Sequence, residues 1–255
     1  MEDMNVQILI FLLCAGFLAA FVDSVVGGGG LIAIPALLFT GLPPAVALGT
    51  NKLASTLCSF TSTVSFLRSG HIHFGFVKWL IPLSLIGSVS GAYLVRQIPA
   101  DFLKPLIIVL LLFVTLYTIF KKDWGTVSSY TGVTAKTGFL IALASFVIGF
   151  YDGFFGAGTG SFLMFSFLML GFNFVESAGN AKVLNFASNF AALMMFIYLD
   201  AVNYTYGVPM AGAMVLGALI GSKVAITRGT AYVKVLFVSV SLLMISKQCW
   251  DYFAL

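Results

Sequence analysis

The chain has 255 residues, 60% of them hydrophobic and 9% charged, where soluble domains carry roughly a quarter charged residues. That balance excludes a water-soluble globular domain and reads as a membrane protein, with room for roughly eight spans of about 20 apolar residues. The net charge of +4, from 13 basic and 9 acidic residues, fits basic cytoplasmic loops, and no nucleic-acid partner is inferred from it.

The N-terminus "MEDMNVQ" is acidic where a signal peptide needs a basic region, and no cleavage site follows, so the first apolar run is expected to be a mature helix. Apolar segments follow near 5–26, 31–41, 45–67, 75–95, 101–120, 136–153, 159–171, 175–199, 206–226 and 231–250. The segments 31–41 and 159–171 cannot cross a hydrocarbon core of about 30 Å, and each follows a glycine-rich break. They are predicted to be half-helices returning from re-entrant turns. The linker 121–135 joins two sets of spans, and no separate soluble domain fits anywhere in 1–255.

If each broken pair, 5–41 and 136–171, enters and leaves on one side, the loops 68–78, 121–136 and 226–234 share a side. They carry Arg68, Lys78, Lys121, Lys122, Lys136, Arg228 and Lys234, against Arg96, Lys104 and Lys247 opposite. The positive-inside rule then puts the first set in the cytoplasm and both termini outside. Counting each broken pair as one crossing gives the weaker ratio of six to four.

A shift of 129 to 130 residues aligns the chain with itself. Asp23 matches Asp152 and Gly27 matches Gly156; beyond one inserted residue Gly30 matches Gly160, Gly49 Gly179, Lys52 Lys182, Gly87 Gly217 and Gly91 Gly221. Apolar residues align by chance, but two aspartates and two lysines in register do not. The expected fold is an all-α polytopic membrane protein, an inverted-topology repeat of two halves at about 5–120 and 136–252. Each half has a re-entrant or broken first helix plus three transmembrane helices, an odd number of crossings that turns the second copy upside down.

Substrate sites in such folds lie near the midplane where broken helices meet. Lys52 and Lys182, near the starts of long apolar helices, cost a few kcal/mol each unless they snorkel to the interface or find partners. Thr50, Asn51 and Ser55 surround the first; Asn180, Asn185, Ser188 and Asn189 surround the second. A cation on a polar stripe suits an anion pathway, with Lys52 and Lys182 as counter-charges and Thr50, Asn51, Asn180 and Asn185 as hydrogen-bonding groups. Gly30 and Gly160 stand where two half-helix N-termini would begin, ends that favour negative charge.

Asp23 and Asp152 each precede a break by four residues. Three roles are open to them: neutralising a lysine, carrying a proton, or bracing the break by accepting its N–H groups. Tyr151 could donate to the carboxylate or to substrate, or sit as an interfacial aromatic. Glu176 is expected to cap its helix, and Gly87, Gly91, Gly217 and Gly221 to serve close helix packing. Cys14, Cys58 and Cys249 read as buried small hydrophobes. His71 and His73 have no third ligand nearby, so no metal is expected, and no cofactor either; "GGGG" and "GAGTG" lack the remaining features of nucleotide loops.

The stretches "GFLAAFVDSVVGGGGLIAIPALLFTGLPPAVALGTNKLAS" and "GFYDGFFGAGTGSFLMFSFLMLGFNFVESAGNAKVLN" resemble the two signature copies of the TauE/SafE family, and the second is similar to its YfcA-like branch. The resemblance covers nearly the whole chain. It implies an ion-driven or proton-linked exporter of small sulfur-containing anions, such as sulfite or sulfonates, in the bacterial cytoplasmic membrane. Expected partners are that anion, membrane lipid and, as a candidate, a second copy of the chain in a homodimer. A passive anion channel, an uptake permease and a membrane-embedded enzyme or scaffold remain the alternatives.

Overall fold

The computed structural model describes residues 6–95 and 125–253, so the predicted span 101–120 and the start of the linker, 121–124, lie outside the described residues. Among these, helices are the regular elements and no strand occurs. They are α1 (Val6–Val26), α2 (Gly30–Phe39), α3 (Pro44–Arg68), α4 (Phe74–Val77), α5 (Ile81–Leu94), α6 (Ala135–Phe154), α7 (Thr159–Met169), α8 (Phe174–Tyr198) and α9 (Tyr204–Phe253). Val6–Val26, Ala135–Phe154, Phe174–Tyr198 and Tyr204–Val240 are long and apolar enough to cross a bilayer. With 25 residues α3 is as long as α8, but its buried face carries Thr50, Asn51, Lys52, Thr56, Ser59 and Ser62. In a bilayer such a face must point into protein or a watery cavity.

The two predicted breaks are present. Gly27 and Gly28 have φ of 78° and 95°, Gly156 and Gly158 of 81° and 86°, a region L-residues avoid and glycine enters freely. The chain therefore stops α1 and α6 and restarts as α2 and α7, of 10 and 11 residues. At 1.5 Å per residue each is about 15 Å long, half a hydrocarbon core. Gly229, non-helical in φ and ψ, divides α9 into two helices across a kink, so the expected spans 206–226 and 231–250 are separate and the loop 226–234 between them reduces to a sharp turn. Arg228 stands next to that turn and Lys234 in the helix after it.

Packing comes in matching pairs. Helix α1 lies along α9, and α5 along α6. A Cβ on Gly217 or Gly221 would overlap or crowd the carbonyls of Phe17 and Phe21, and one on Gly87 or Gly91 those of Phe146 and Phe150. Small residues let helix backbones approach this closely, and in lipid, where no hydrophobic force drives helices together, that contact carries association. Thr50 Oγ1 accepts from Asn203 N at 2.9 Å and Asn180 Oδ1 from His73 N at 2.8 Å, a second matched pair pinning the turns after α8 and α3.

Capping explains the starts of α6 and α8. Thr134 and Thr137 cap α6 reciprocally, as Asn173 and Glu176 cap α8, so Glu176 takes the expected role; its other oxygen lies 3.4 Å from His73 Nε2. The described end of the linker is folded against the α7–α8 turn, with Ser129 N donating to Gly171 O and Tyr130 stacked on Phe172 at 4.1 Å. Cys58 is buried, but Cys14 is exposed on α1, contrary to expectation.

Candidate functional site

The two glycine breaks meet each other. Ser161 Oγ donates to Val26 O at 2.9 Å, and a Cβ on Gly27 would overlap the backbone of Gly160 and Ser161. Around this junction Asp23, Gly30, Asn51, Lys52, Ser55, Asp152, Gly156, Gly160, Asn185 and Asn189 line one cavity. It leaves about 10 Å³ for water centres, roughly one water molecule. The site is closed.

Neither lysine snorkels. Lys52 and Lys182 are each 1% exposed, and each reaches an aspartate from the opposite part of the chain. Lys52 Nζ lies 2.9 Å from Asp152 Oδ1 and donates to Asn189 Oδ1 at 3.0 Å. Lys182 Nζ donates to Asp23 Oδ2 at 2.5 Å. The residues that the 129- to 130-residue shift puts in register are thus joined crosswise. Burying an isolated charge is prohibitive, and here each lysine is held against a carboxylate.

The lining itself depends on glycine. A Cβ on Gly156 would stand 2.7 Å from Lys52 Nζ and 2.9 Å from Asp152 Oδ1, so any larger residue there would collide with the ion pair. Around the pairs, Ser55 Oγ donates to Asn51 Oδ1 at 3.4 Å, and Asn189 Nδ2 to Asn185 O at 2.8 Å. Among the described residues none hydrogen-bonds the Asn185 side chain, which leaves its amide free to serve a ligand.

Of the predicted site residues, the cavity gathers Lys52, Asn51, Asn185, Gly30, Gly160, Asp23 and Asp152, with Lys182 held just behind Asp23. Thr50 and Asn180 turn elsewhere: Thr50 Oγ1 and Asn180 Oδ1 accept from the turn backbones of Asn203 and His73, while Asn180 Nδ2 is buried without a partner. Thr50 lies about 100° around the helix from the lining position Asn51. Tyr151 also leaves the site: its hydroxyl donates to Ala157 O and its ring packs edge-on to Phe162 at 5.7 Å, bracing the second break. Ser55, Gly156 and Asn189 join the lining. Their helical spacing from Lys52, Asp152 and Asn185 was a signal, since residues three to four apart share a face.

A bundle of long apolar helices with buried lysines and aspartates around two mid-chain breaks is an integral membrane protein with a polar centre. Known proteins place it further: the chain belongs to the sulfite exporter TauE/SafE family, whose profile matches residues 12–247. It is 41% identical over 246 residues to the probable membrane transporter protein ORF9 of Sinorhizobium sp, covering 95% of this chain and 92% of the relative. It is 36% identical to a probable membrane transporter protein of Haemophilus influenzae, over 98% of this chain and 97% of the relative. With the probable membrane transporter protein YfcA of Escherichia coli K12 it shares 37% over 92% of this chain and 87% of the relative. No solved structure matches it. The chain is a membrane transporter, not an enzyme.

Proposed function

We propose that this transporter is a secondary carrier that exports a small sulfur-containing oxyanion, such as sulfite or a sulfonate, across the bacterial cytoplasmic membrane, with proton coupling at its Lys–Asp centre. The observation that carries this reading is the crossed pair of buried ion pairs, Lys52–Asp152 and Lys182–Asp23. A carboxylate on a buried ammonium is a resident oxyanion; a sulfonate or sulfite offers similar oxygens to the same donors, assisted by the amides of Asn51 and Asn185. Family membership supports the choice of a sulfur anion.

The matched contacts of α1 with α9 and α5 with α6, together with the crossed pairs, support an inverted repeat whose halves, 5–120 and 136–252, meet at the site. Both termini are then outside, with the more basic loops in the cytoplasm. The cavity has room for roughly one water molecule, so loading an anion requires the ion pairs to part. A passive channel would need a continuous watery path, which a cavity of this size does not favour; an uptake permease would use the same site in reverse.

A thermal-shift series tests the anion site. Sulfite, sulfate, thiosulfate, sulfoacetate and taurine are added to the purified full chain and to a Lys52→Ala/Lys182→Ala variant. Binding to the folded state raises its stability by about 2.7 kcal/mol at a hundred times Kd. At least one anion is expected to raise the wild-type melting temperature and none that of the variant. Equal responses, or none, would remove the lysines from the mechanism.

A further inference from the structure

The two aspartates occupy matching positions, but their surroundings differ. Asp23 has both oxygens engaged: Oδ1 accepts from Gly29 N at 3.2 Å, and Oδ2 from Lys182 Nζ, with Cys58 Sγ 3.9 Å away. It ties the first break to α8. Asp152 gives Oδ1 to Lys52, while its Oδ2 is buried and without a hydrogen-bond partner, on a residue 1% exposed that lines the cavity. A buried acceptor left unmet is costly, more so when charged.

We propose that Asp152, and not Asp23, loads the transported proton, and that it does so together with the anion that Lys52 receives. This rests on the anion-site reading above. The proton is delivered from hydronium or buffer in bulk solvent, relayed through cavity water that ends unchanged, and forms the Oδ2–H bond; Asp152 passes from carboxylate to carboxylic acid, and no other protein group changes protonation. The neutral acid no longer balances Lys52, which keeps its bond to Asn189 Oδ1 and turns its remaining charge to the incoming anion. When the anion leaves, Lys52 recaptures the carboxylate and the proton returns to water.

The other titratable groups near Asp152 do not compete for this role. From α3 it faces Lys52 itself; α1 brings Asp23 and α8 brings Lys182, already bound to each other. On its own helix Tyr151 donates to Ala157 O. From α8, Glu176 serves the helix cap and Tyr198 is exposed; α5 adds Tyr93, also exposed, and α7 adds none. Charge balance gives the arrangement its purpose. Empty, the Lys52–Asp152 pair is neutral; with a monovalent anion and one proton aboard it is neutral again, so neither state carries a net charge across the low-dielectric centre. Proton and anion therefore move in the same direction. Export by this route is driven by the anion's own accumulation in the cytoplasm, since the proton leaves with it. By reciprocity, anion binding favours protonation as much as protonation favours the anion.

Calorimetric titration of the purified full chain with methanesulfonate, which stays a monoanion across the pH range used, tests this in buffers of different ionisation enthalpy. The wild type is expected to take up about one proton per anion, and its affinity to fall about tenfold per pH unit once Asp152 is ionised. Asp152→Asn should bind with no proton uptake and no pH dependence. Wild-type binding without proton uptake overturns the proposal, and this holds even if Asp152→Asn fails to fold. Uptake retained in Asp152→Asn overturns it too while leaving the anion site standing. Absence of binding in both the wild type and Asp152→Asn overturns the anion-site reading, and the proposal with it.

Discussion

Lys52→Ala is expected to lower stability by about 3–5 kcal/mol, because it strands the Asp152 carboxylate in the protein centre. The cost is not the value of the Lys52–Asp152 contact, since a buried pair gives back much of its attraction in desolvation. It is the penalty of one uncompensated charge beside an oxygen that already lacks a partner. A second substitution separates the two. Lys52→Ala/Asp152→Asn removes the stranded charge and is expected to recover most of the stability while leaving anion binding abolished. Denaturation of the detergent-solubilised chain measures the first effect and anion-dependent melting the second. If the double variant is no more stable than Lys52→Ala, the pair does not stand as an isolated unit.

Gly27→Ala is expected to be as damaging, through the backbone. With φ of 78° an alanine there is strained, and its methyl would overlap Gly160 and Ser161 where the breaks touch. Strain and overpacking together cost about 3–5 kcal/mol, and the displaced break carries Asp23 with it. Gly212→Ala is the matched control. It lies in α9 without positive φ, and no atom comes within 4 Å of where its methyl would stand, so it is expected to be neutral or to gain up to about 1 kcal/mol of helix propensity. Folded yield and melting temperature of the two variants compare them directly; equal behaviour would mean that the junction tolerates a side chain.

Much of this centre was legible in the sequence because charge and glycine are rare in an apolar chain. Two lysines and two aspartates in register marked the site, and the glycine runs marked the breaks. Packing at Gly87, Gly91, Gly217 and Gly221 followed from their four-residue spacing. What sequence could not supply was direction. Thr50 and Asn51 are adjacent, yet one reaches a turn and the other the cavity, since neighbours on a helix point about 100° apart and the facing loop is set by the tertiary fold. Tyr151 next to Asp152 is lost to the site for the same reason. The distinction between Asp23 and Asp152 was equally hidden: it depends on Gly29 N–H and Cys58 reaching one carboxylate and no equivalent donor reaching the other, and the repeat makes the two look alike. Gly229 shows a milder limit: the separation of the last two spans was marked in the sequence, but not that a single residue makes the turn between them.

Whether the crossed Lys–Asp pairs form the site through which an anion is carried is tested most directly by uptake of labelled methanesulfonate into proteoliposomes holding the purified chain. A pH gradient is imposed and no anion gradient. The expected result is saturable accumulation on the alkaline side, following the protons, and its loss in Lys52→Ala/Lys182→Ala. Flux that never saturates and cannot be driven uphill, or accumulation unchanged by the double substitution, would contradict it.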